Sequence, residues 1–433
     1  MMFPRETIAS AALEIREGRR TCRDVLEACL TRIEEREPQV RAWVIVDRDG
    51  AGEQAAALDR ERQGGRLRGP LHGIPVGIKD IIDVAGLPTA AGSRRWADHI
   101  AAADAPVVAR LRAAGAVILG KTVTTPYAWI DPPPTRNPWH PDRTPGGSSS
   151  GSAAAVACGM CLGALGTQSG GSITRPAAFC GVAGLKPTHG RLSLAGILPL
   201  APSLDHVGPI APTVEDLRRL FEALLGDDLL ALEADFTPPP RLGRLRGPFD
   251  DLADPCQREA IDRAAEVLAR AGAAVIDRAP PFALNEILRL HRTILAAEAA
   301  ATHEQRLAEH PDDYPPQIRA LVEEGLATPV SAYIRARQEQ ERIRRLVFTE
   351  DADLDALLVP AAPGPAPDPA TTGDPVFNSP WSFTGQPTVS FPVGRSPEGL
   401  PLAIQIVGFP MFEKRLLTLA SWCEAVLRRG EGL

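Results

Sequence analysis

The segment Gly73-Ile-Pro-Val-Gly-Ile-Lys-Asp-Ile-Ile-Asp83 reads as short β-type runs punctuated by glycine. A helical pattern over 107–114 and a buried strand over 116–120 follow it. Strands alternating with helices predict an α/β sheet, mixed and twisted, with helices on its faces. Upstream, Thr21 is placed to cap a helix whose apolar positions Val25, Leu26, Cys29, Leu30 and Ile33 recur at helical spacing. The run Trp43–Val46, aromatic then β-branched, predicts a strand, and the polar, Ala-rich stretch 51–67 an exposed helix. Downstream, 163–166, 354–359, 388–392 and 402–407 read as further strands, 167–172 as a tight loop, and 412–427 as a closing helix. Residues 214–350 read as mostly helical and more polar, with charge runs such as 335–345 on solvated faces.

Composition narrows the function classes. At 44% hydrophobic and 23% charged residues, the 433-residue chain has the material for a large core, which excludes wholesale disorder. A net charge of −7 argues against a bulk electrostatic grip on nucleic acid. The 42 prolines are roughly twice the usual ~5% and predict many rigid loops. The least polar stretch, 153–166, is too short and too rich in Gly and Ala to span a bilayer, so no membrane partner is expected. The first ten residues carry Arg5 and Glu6 without a long apolar run and do not read as a signal peptide. Seven scattered cysteines read as a reduced, cytoplasmic chain. Cys158 and Cys161 form a CxxC with no second pair or His cluster at ligand spacing, which reads as core packing rather than zinc. With no repeat and no clean boundary, residues 1–433 are read as a single domain.

Three clusters carry chemistry: Lys79, Ser148 and Ser172. Lys79 lies in the apolar run Val76-Gly-Ile-Lys-Asp-Ile-Ile82, where a buried ammonium is costly unless paired or neutral. One reading is a salt bridge, with Asp80 adjacent; the other is a lysine whose pKa burial lowers, able to act as a general base. Ser148 and Ser172 each follow Gly-Gly, a pattern that on its own is an ordinary turn. Neither loop has the Lys-Ser/Thr ending of a phosphate loop, no GxGxxG opens a strand–helix unit, and HExxH is missing. His189 and His206 with Asp205 lack a GxSxG elbow. Together the three clusters fit the Ser–Lys version of activated-serine chemistry.

At this point the sequence resembles the amidase signature hydrolases. The resemblance rests on Gly73-Ile-Pro-Val-Gly-Ile-Lys-Asp80, on Pro145-Gly-Gly-Ser-Ser-Ser-Gly-Ser-Ala-Ala-Ala155 and on Gly166-Thr-Gln-Ser-Gly-Gly-Ser-Ile-Thr-Arg-Pro-Ala-Ala-Phe-Cys-Gly181. It continues through Gly184-Leu-Lys-Pro-Thr-His-Gly190, Ser203-Leu-Asp-His-Val-Gly-Pro209 and Gly385-Gln-Pro-Thr-Val-Ser-Phe-Pro392. It implies a catalytic set of Lys79, Ser148 held by a cis peptide bond, and the nucleophile Ser172. The backbone N–H groups of Ser169, Gly170, Gly171 and Ser172 are implied as the oxyanion hole, with Thr167 supporting the serine loop. It also implies a cofactor-free, metal-free amidohydrolase acting on a small amide, with 212–350 a mostly helical, more variable part shaping the pocket. A homodimer is common in similar enzymes.

Departures from the family pattern bear on specificity. Gln168 stands where many members have Asp, Ser169 where many have Thr, and Ser150 where many have Gly. Thr174 occupies the position two after the nucleophile, a common place for Arg, and Arg175 follows it. In similar small-substrate members, malonamate hydrolases among them, an Arg at the position of Arg175 binds the substrate carboxylate, a role its planar fork suits. The alternative is a structural ion pair, with Asp205 a candidate partner. Tyr127, Trp129, Asn378 and Trp381 are candidate pocket residues. Two other readings stay open: a glutamine-type amidotransferase subunit feeding ammonia to a partner, and an inactive scaffold, which the presence of all three catalytic side chains disfavours.

Overall fold

The computed structural model describes residues 6–226, 237, 239–347 and 353–431. Among them, eleven strands form one sheet: β1 Trp43–Val46, β2 Pro75–Lys79, β3 Val117–Thr122, β4 Gly163–Gln168, β5 Ala183–Lys186, β6 His206–Ala211, β7 Arg241–Leu245, β8 Ala274–Arg278, β9 Ala356–Pro360, β10 Thr388–Arg395 and β11 Pro401–Val407. Their order is β1-β3-β2-β4-β6-β5-β10-β11-β9-β7-β8. The sheet is mixed and flanked by helices, as the alternation of elements predicts.

The parallel trio β3-β2-β4 positions the site. Every residue of these three strands is buried. That two-sided burial explains why Pro75–Ile78, Val117–Gly120 and Gly163–Gly166 carry no polar side chain, since a strand covered on both faces has no polar side to alternate with. Because β2 and β4 run the same way, with Ile78 opposite Leu165, Lys79 and Thr167 emerge at the same edge. The carboxyl ends of parallel strands are where α/β sheets gather their sites. The helix Ser150–Ala157 is buried throughout, and its Ser, Gly and Ala side chains let it lie close on the sheet. A Cβ on Gly151 would sit 2.2 Å from the Ala42 carbonyl oxygen, so this approach requires glycine.

Several boundaries differ from the sequence reading. The strand expected over 163–166 continues as β4 through Gln168, which takes Thr167 and Gln168 out of the expected loop. Two parallel strands, β7 and β8, lie inside the segment read as helical and extend the sheet beyond β9. Arg241-Leu-Gly-Arg-Leu245 is short and carries two arginines, which masks it; β8, an edge strand with no fully buried position, does carry the apolar run Ala274-Val-Ile276, which the helical reading of the segment passed over. β5 and β6 escaped the reading because Ala183-Gly-Leu-Lys186 has no β-branched or aromatic residue and β6 contains Pro209. The β5–β6 ladder ends at Ile210, before that proline, which cannot donate to a ladder. The rest of the described part of the segment is mostly helical, with Leu284–Glu309, Pro316–Leu326 and Val330–Leu346 packed together. Residues 1–5 of the chain start, and 227–236, 238 and 348–350 of the 212–350 segment, lie outside the described residues. No described helix is long and apolar enough to cross a membrane.

Candidate active site

Lys79 ends β2 with its side chain fully buried. Its neighbour Asp80 does not pair with it: the Asp80 carboxylate lies 2.9 Å from Lys121 Nζ. Lys79 Nζ instead meets two hydroxyls, Ser148 Oγ at 2.7 Å and Thr167 Oγ1 at 2.8 Å. Of the two sequence readings, the Lys79–Asp80 salt bridge is therefore not formed. Burial drives the Lys79 pKa well below its ordinary value, and the more distant charge of Asp205 opposes this only in part. A lysine in this setting favours the neutral amine.

Ser148 is also buried, and the Gly147–Ser148 peptide is cis. Its loop is sewn to its surroundings. The Thr125 N–H donates to the Ser148 carbonyl at 3.2 Å. Arg175 donates from Nη2 to the Gly147 carbonyl at 2.9 Å and to Thr372 Oγ1 at 3.3 Å. The Ser149 hydroxyl bonds both the N–H and the carbonyl of Thr167. The Ser149 N–H donates to the Ser172 carbonyl at 3.3 Å, which ties the two serine loops together. Ser172 is half-buried, and no hydrogen bond joins its hydroxyl to that of Ser148 among the described residues. Such contacts are often loose before substrate binds.

The turn from β4 into the helix Thr174–Cys180 carries the remaining geometry. Gln168 Oε1 accepts from the N–H groups of Ile173 and Thr174, at 2.9 and 3.0 Å, and so satisfies donors at the helix start. Its Nε2 donates to Ser382 Oγ at 3.1 Å, a contact that the Asp common at this position could not make as a donor. The Ser169 hydroxyl donates to Asp205 Oδ1 at 2.5 Å, while Asp205 Oδ2 accepts from the N–H groups of Leu200 and Ala201. All four carbonyls of residues 169–172 accept hydrogen bonds: from His291 Nε2 at 2.8 Å, Ser382 Oγ at 2.7 Å, Arg175 N at 2.9 Å and Ser149 N at 3.3 Å respectively. The four N–H groups of the same residues have no acceptor among the described residues. A Cβ on Gly171 would lie 2.8 Å from Asn378 Oδ1, so the turn could not seat a larger residue there.

A cavity of about 150 Å³ adjoins this turn, bordered by Ile81, Ala128, Thr167, Ser169, Asp205 and His206, with an apolar wall from the 194–202 segment. His206 Nδ1 lies near two carbonyl oxygens, of Leu204 at 2.7 Å and Gln168 at 3.1 Å, so the proton sits on Nδ1. Burial holds that imidazole neutral, its pKa well below the ordinary value.

Other sequence candidates fall differently. Thr167 joins the site through Lys79. Arg175 is buried and does not pair with Asp205; its contacts are the Gly147 carbonyl and Thr372, and burial pushes its pKa down to about 10. Tyr127 and Trp381, expected among the pocket residues, are both buried and engaged elsewhere. The Tyr127 hydroxyl is spent on Asp313, and its ring stacks on Tyr314 at 4.4 Å. Trp381 is fully buried against Phe249 and Phe282. Neither borders the cavity. Asn378 is buried, donating to Thr174 Oγ1 and the Ala361 carbonyl, and Trp129 lies under the Arg292 guanidinium. No cluster of three or more His, Cys, Asp or Glu side chains that could hold a metal ion occurs among the described residues. His291 and Ser382 were not found from sequence, because each reaches the turn through a side chain to a backbone carbonyl and leaves no motif.

Comparison with known proteins supplies a second line. Residues 24–417 match the family model described as Amidase. The chain is 37% identical over 446 residues to an amidase of Pseudomonas putida, covering 95% of this chain and 94% of that protein. It is 36% identical over 465 residues to a glutamyl-tRNA(Gln) amidotransferase subunit of Chloroflexus aurantiacus, with the same coverage of each. Among solved structures, the native peptide amidase of Stenotrophomonas maltophilia superposes with a TM-score of 0.85 at 30% identity, over 98% of each chain.

Proposed function

The chain belongs to the amidase family, and on that premise we propose that it hydrolyses the C–N bond of a small amide through an acyl-enzyme on Ser172. The observation that carries this reading is Lys79: a fully buried lysine with no carboxylate partner among the described residues, 2.7 Å from the Ser148 hydroxyl. In the neutral state its lone pair accepts the Ser148 proton, while an N–H still donates to Thr167. Ser148 in turn takes the proton of Ser172, whose oxygen attacks the carbonyl carbon. The new C–O bond turns the carbonyl into an oxyanion, which the free N–H groups of residues 169–172 are arranged to receive. Collapse breaks the C–N bond, and the proton held on Lys79 returns through Ser148 to the leaving nitrogen. Water repeats the sequence on the ester and frees the acid.

The small cavity beside Thr167 and Ser169 supports a small, neutral substrate, although Ser148 and Ser172 are not among the residues that border it. Its wall is largely apolar, and no cationic side chain borders it among the described residues. The carboxylate of Asp205 at its edge disfavours an anionic substrate. A carboxylated substrate held by Arg175 is the less favoured form of the reading: the guanidinium is buried, holds the Gly147 carbonyl through Nη2 and does not border this cavity, although its Nε and Nη1 have no partner among the described residues. The test is ammonia release from a series of straight-chain primary amides by the isolated chain. A preference for short neutral amides supports the reading; release from malonamate-type acids alone overturns the neutral form.

The likeness to an amidotransferase component favours one second reading, ammonia production from glutamine for a partner. It predicts that the isolated chain is slow on simple amides and releases ammonia from glutamine chiefly when the partner is present.

A further inference from the structure

Between β4 and the helix Thr174–Cys180, the backbone of residues 169–172 makes contacts of one kind only. Each carbonyl is engaged and each N–H is left open among the described residues. In a planar trans peptide, the carbonyl of one residue and the N–H of the next point in opposite directions. Fixing the Ser169 carbonyl therefore aims the Gly170 N–H, and fixing the Gly170 carbonyl aims the Gly171 N–H. This matters most at Gly170 and Gly171, where the backbone has the widest freedom to rotate.

Both carbonyls are fixed by side chains from far along the chain. His291 comes from the long helix Leu284–Glu309, and Ser382 from the short helix Ser379–Thr384. Each is buried. His291 Nε2 approaches the Ser169 carbonyl at 2.8 Å, so Nε2 must carry a proton. The ring also covers Gly170: a Cβ there would lie 3.7 Å from His291 Cε1. The single Ser382 hydroxyl proton goes to the Gly170 carbonyl at 2.7 Å, and Gln168 Nε2 donates to Ser382 Oγ, which fixes the direction of that hydroxyl.

We propose that His291 and Ser382 are positioning residues: by holding the Ser169 and Gly170 carbonyls, they turn the following N–H groups toward the oxyanion. Neither touches the reacting atoms. The inference rests on the reading of Ser172 as the nucleophile. The helices Leu284–Glu309 and Ser379–Thr384 thereby contribute to transition-state stabilisation although neither borders the cavity.

The test uses a fluorophosphonate probe on the full chain, with labelling resolved into kinact and KI. Ser172→Ala is the reference for the underlying reading. An unlabelled parent, or Ser172→Ala labelled like the parent, overturns the nucleophile assignment itself. With the parent labelled at Ser172, His291→Phe fills the space without a donor and should lower kinact about tenfold to a hundredfold with KI within about twofold. His291→Gln offers an amide N–H to the same carbonyl and should recover most of that loss. Ser382→Ala should lower kinact in the same way, and it carries the test if the His291 variants do not fold. His291→Phe or a folded Ser382→Ala labelled at the parental kinact overturns the inference, as does a loss confined to KI.

Discussion

Lys121 Nζ sits 2.9 Å from Asp80 Oδ1, and both residues are buried. This pair uses the one carboxylate that sequence places beside Lys79. Asp80 sits one residue beyond the last residue of β2, and its N–H reaches the Thr122 carbonyl on β3. Its charge is therefore spent on Lys121, which also donates to the Pro88 carbonyl and Thr89 Oγ1. Lys79 is left among hydroxyls.

Removing Lys121 should therefore act on stability. Lys121→Met strands a buried carboxylate, and breaking one partner of such a pair typically costs about 3–5 kcal/mol. Equilibrium denaturation is the check, and a change below about 1 kcal/mol contradicts the assignment.

The pH dependence follows from the lowered pKa of Lys79. The neutral amine is present above the depressed pKa and the ammonium below it, so the acylation rate should climb as pH rises through that value. The same shift acts on folding. The unfolded chain keeps the Lys79 proton up to its ordinary 10.5 while the native chain has already released it. The contribution of this group to stability therefore rises with pH between the depressed value and 10.5. A pH profile of fluorophosphonate labelling should show a rising limb that Lys79→Met removes. A rate that falls as pH climbs through neutrality contradicts the assignment.

Arg175 distinguishes two kinds of substrate recognition. With Nη2 on the Gly147 carbonyl, Arg175→Ala should slow neutral and acidic amides by similar factors, because the loop carrying Ser148 loses a tie. Parallel kcat/KM measurements on an amide and a carboxylated amide of equal size give the answer. A penalty confined to the acid means that the guanidinium meets a substrate carboxylate instead.

Gln168→Glu tests the hydrogen-bond direction at Ser382. The carboxylate keeps the acceptor for Ile173 and Thr174 but removes the donor to Ser382 Oγ. The Ser382 proton is then drawn to the new carboxylate, and the Gly170 carbonyl is released. A fall of about tenfold in kinact with folding retained is expected, about 1.4 kcal/mol in the barrier. Parental kinact in a folded variant contradicts it.

Much of this was legible in the sequence, and the reasons differ by element. β2 and β4 are buried on both faces; Gly170-Gly-Ser172 follows the end of β4, and Gly146-Gly-Ser148 leads into the helix Ser150–Ala157. Lys79 is conspicuous because it interrupts an apolar run. β7, with two arginines in five residues, has no comparable signal, while β8 has only the short run Ala274-Val-Ile276 inside a segment otherwise helical in pattern. Tyr127 read as a pocket residue because its partner Asp313 lies 186 positions away. His291 lies 122 residues from Ser169, and Ser382 212 from Gly170; a side chain bonded to a distant carbonyl leaves no spacing to read. Sequence marks Gln168 as a departure from Asp, but the opposite hydrogen-bond roles of its two ends depend on Ser382, 214 positions away.

The account stands most directly on the site of covalent capture. The chain is reacted with a fluorophosphonate, digested, and the modified peptide is sequenced by mass spectrometry. One adduct is expected, on the Ser172 oxygen, lost in Ser172→Ala and strongly slowed in Lys79→Met. An adduct on Ser148, or on Ser172 at an undiminished rate without the Lys79 amine, would contradict it.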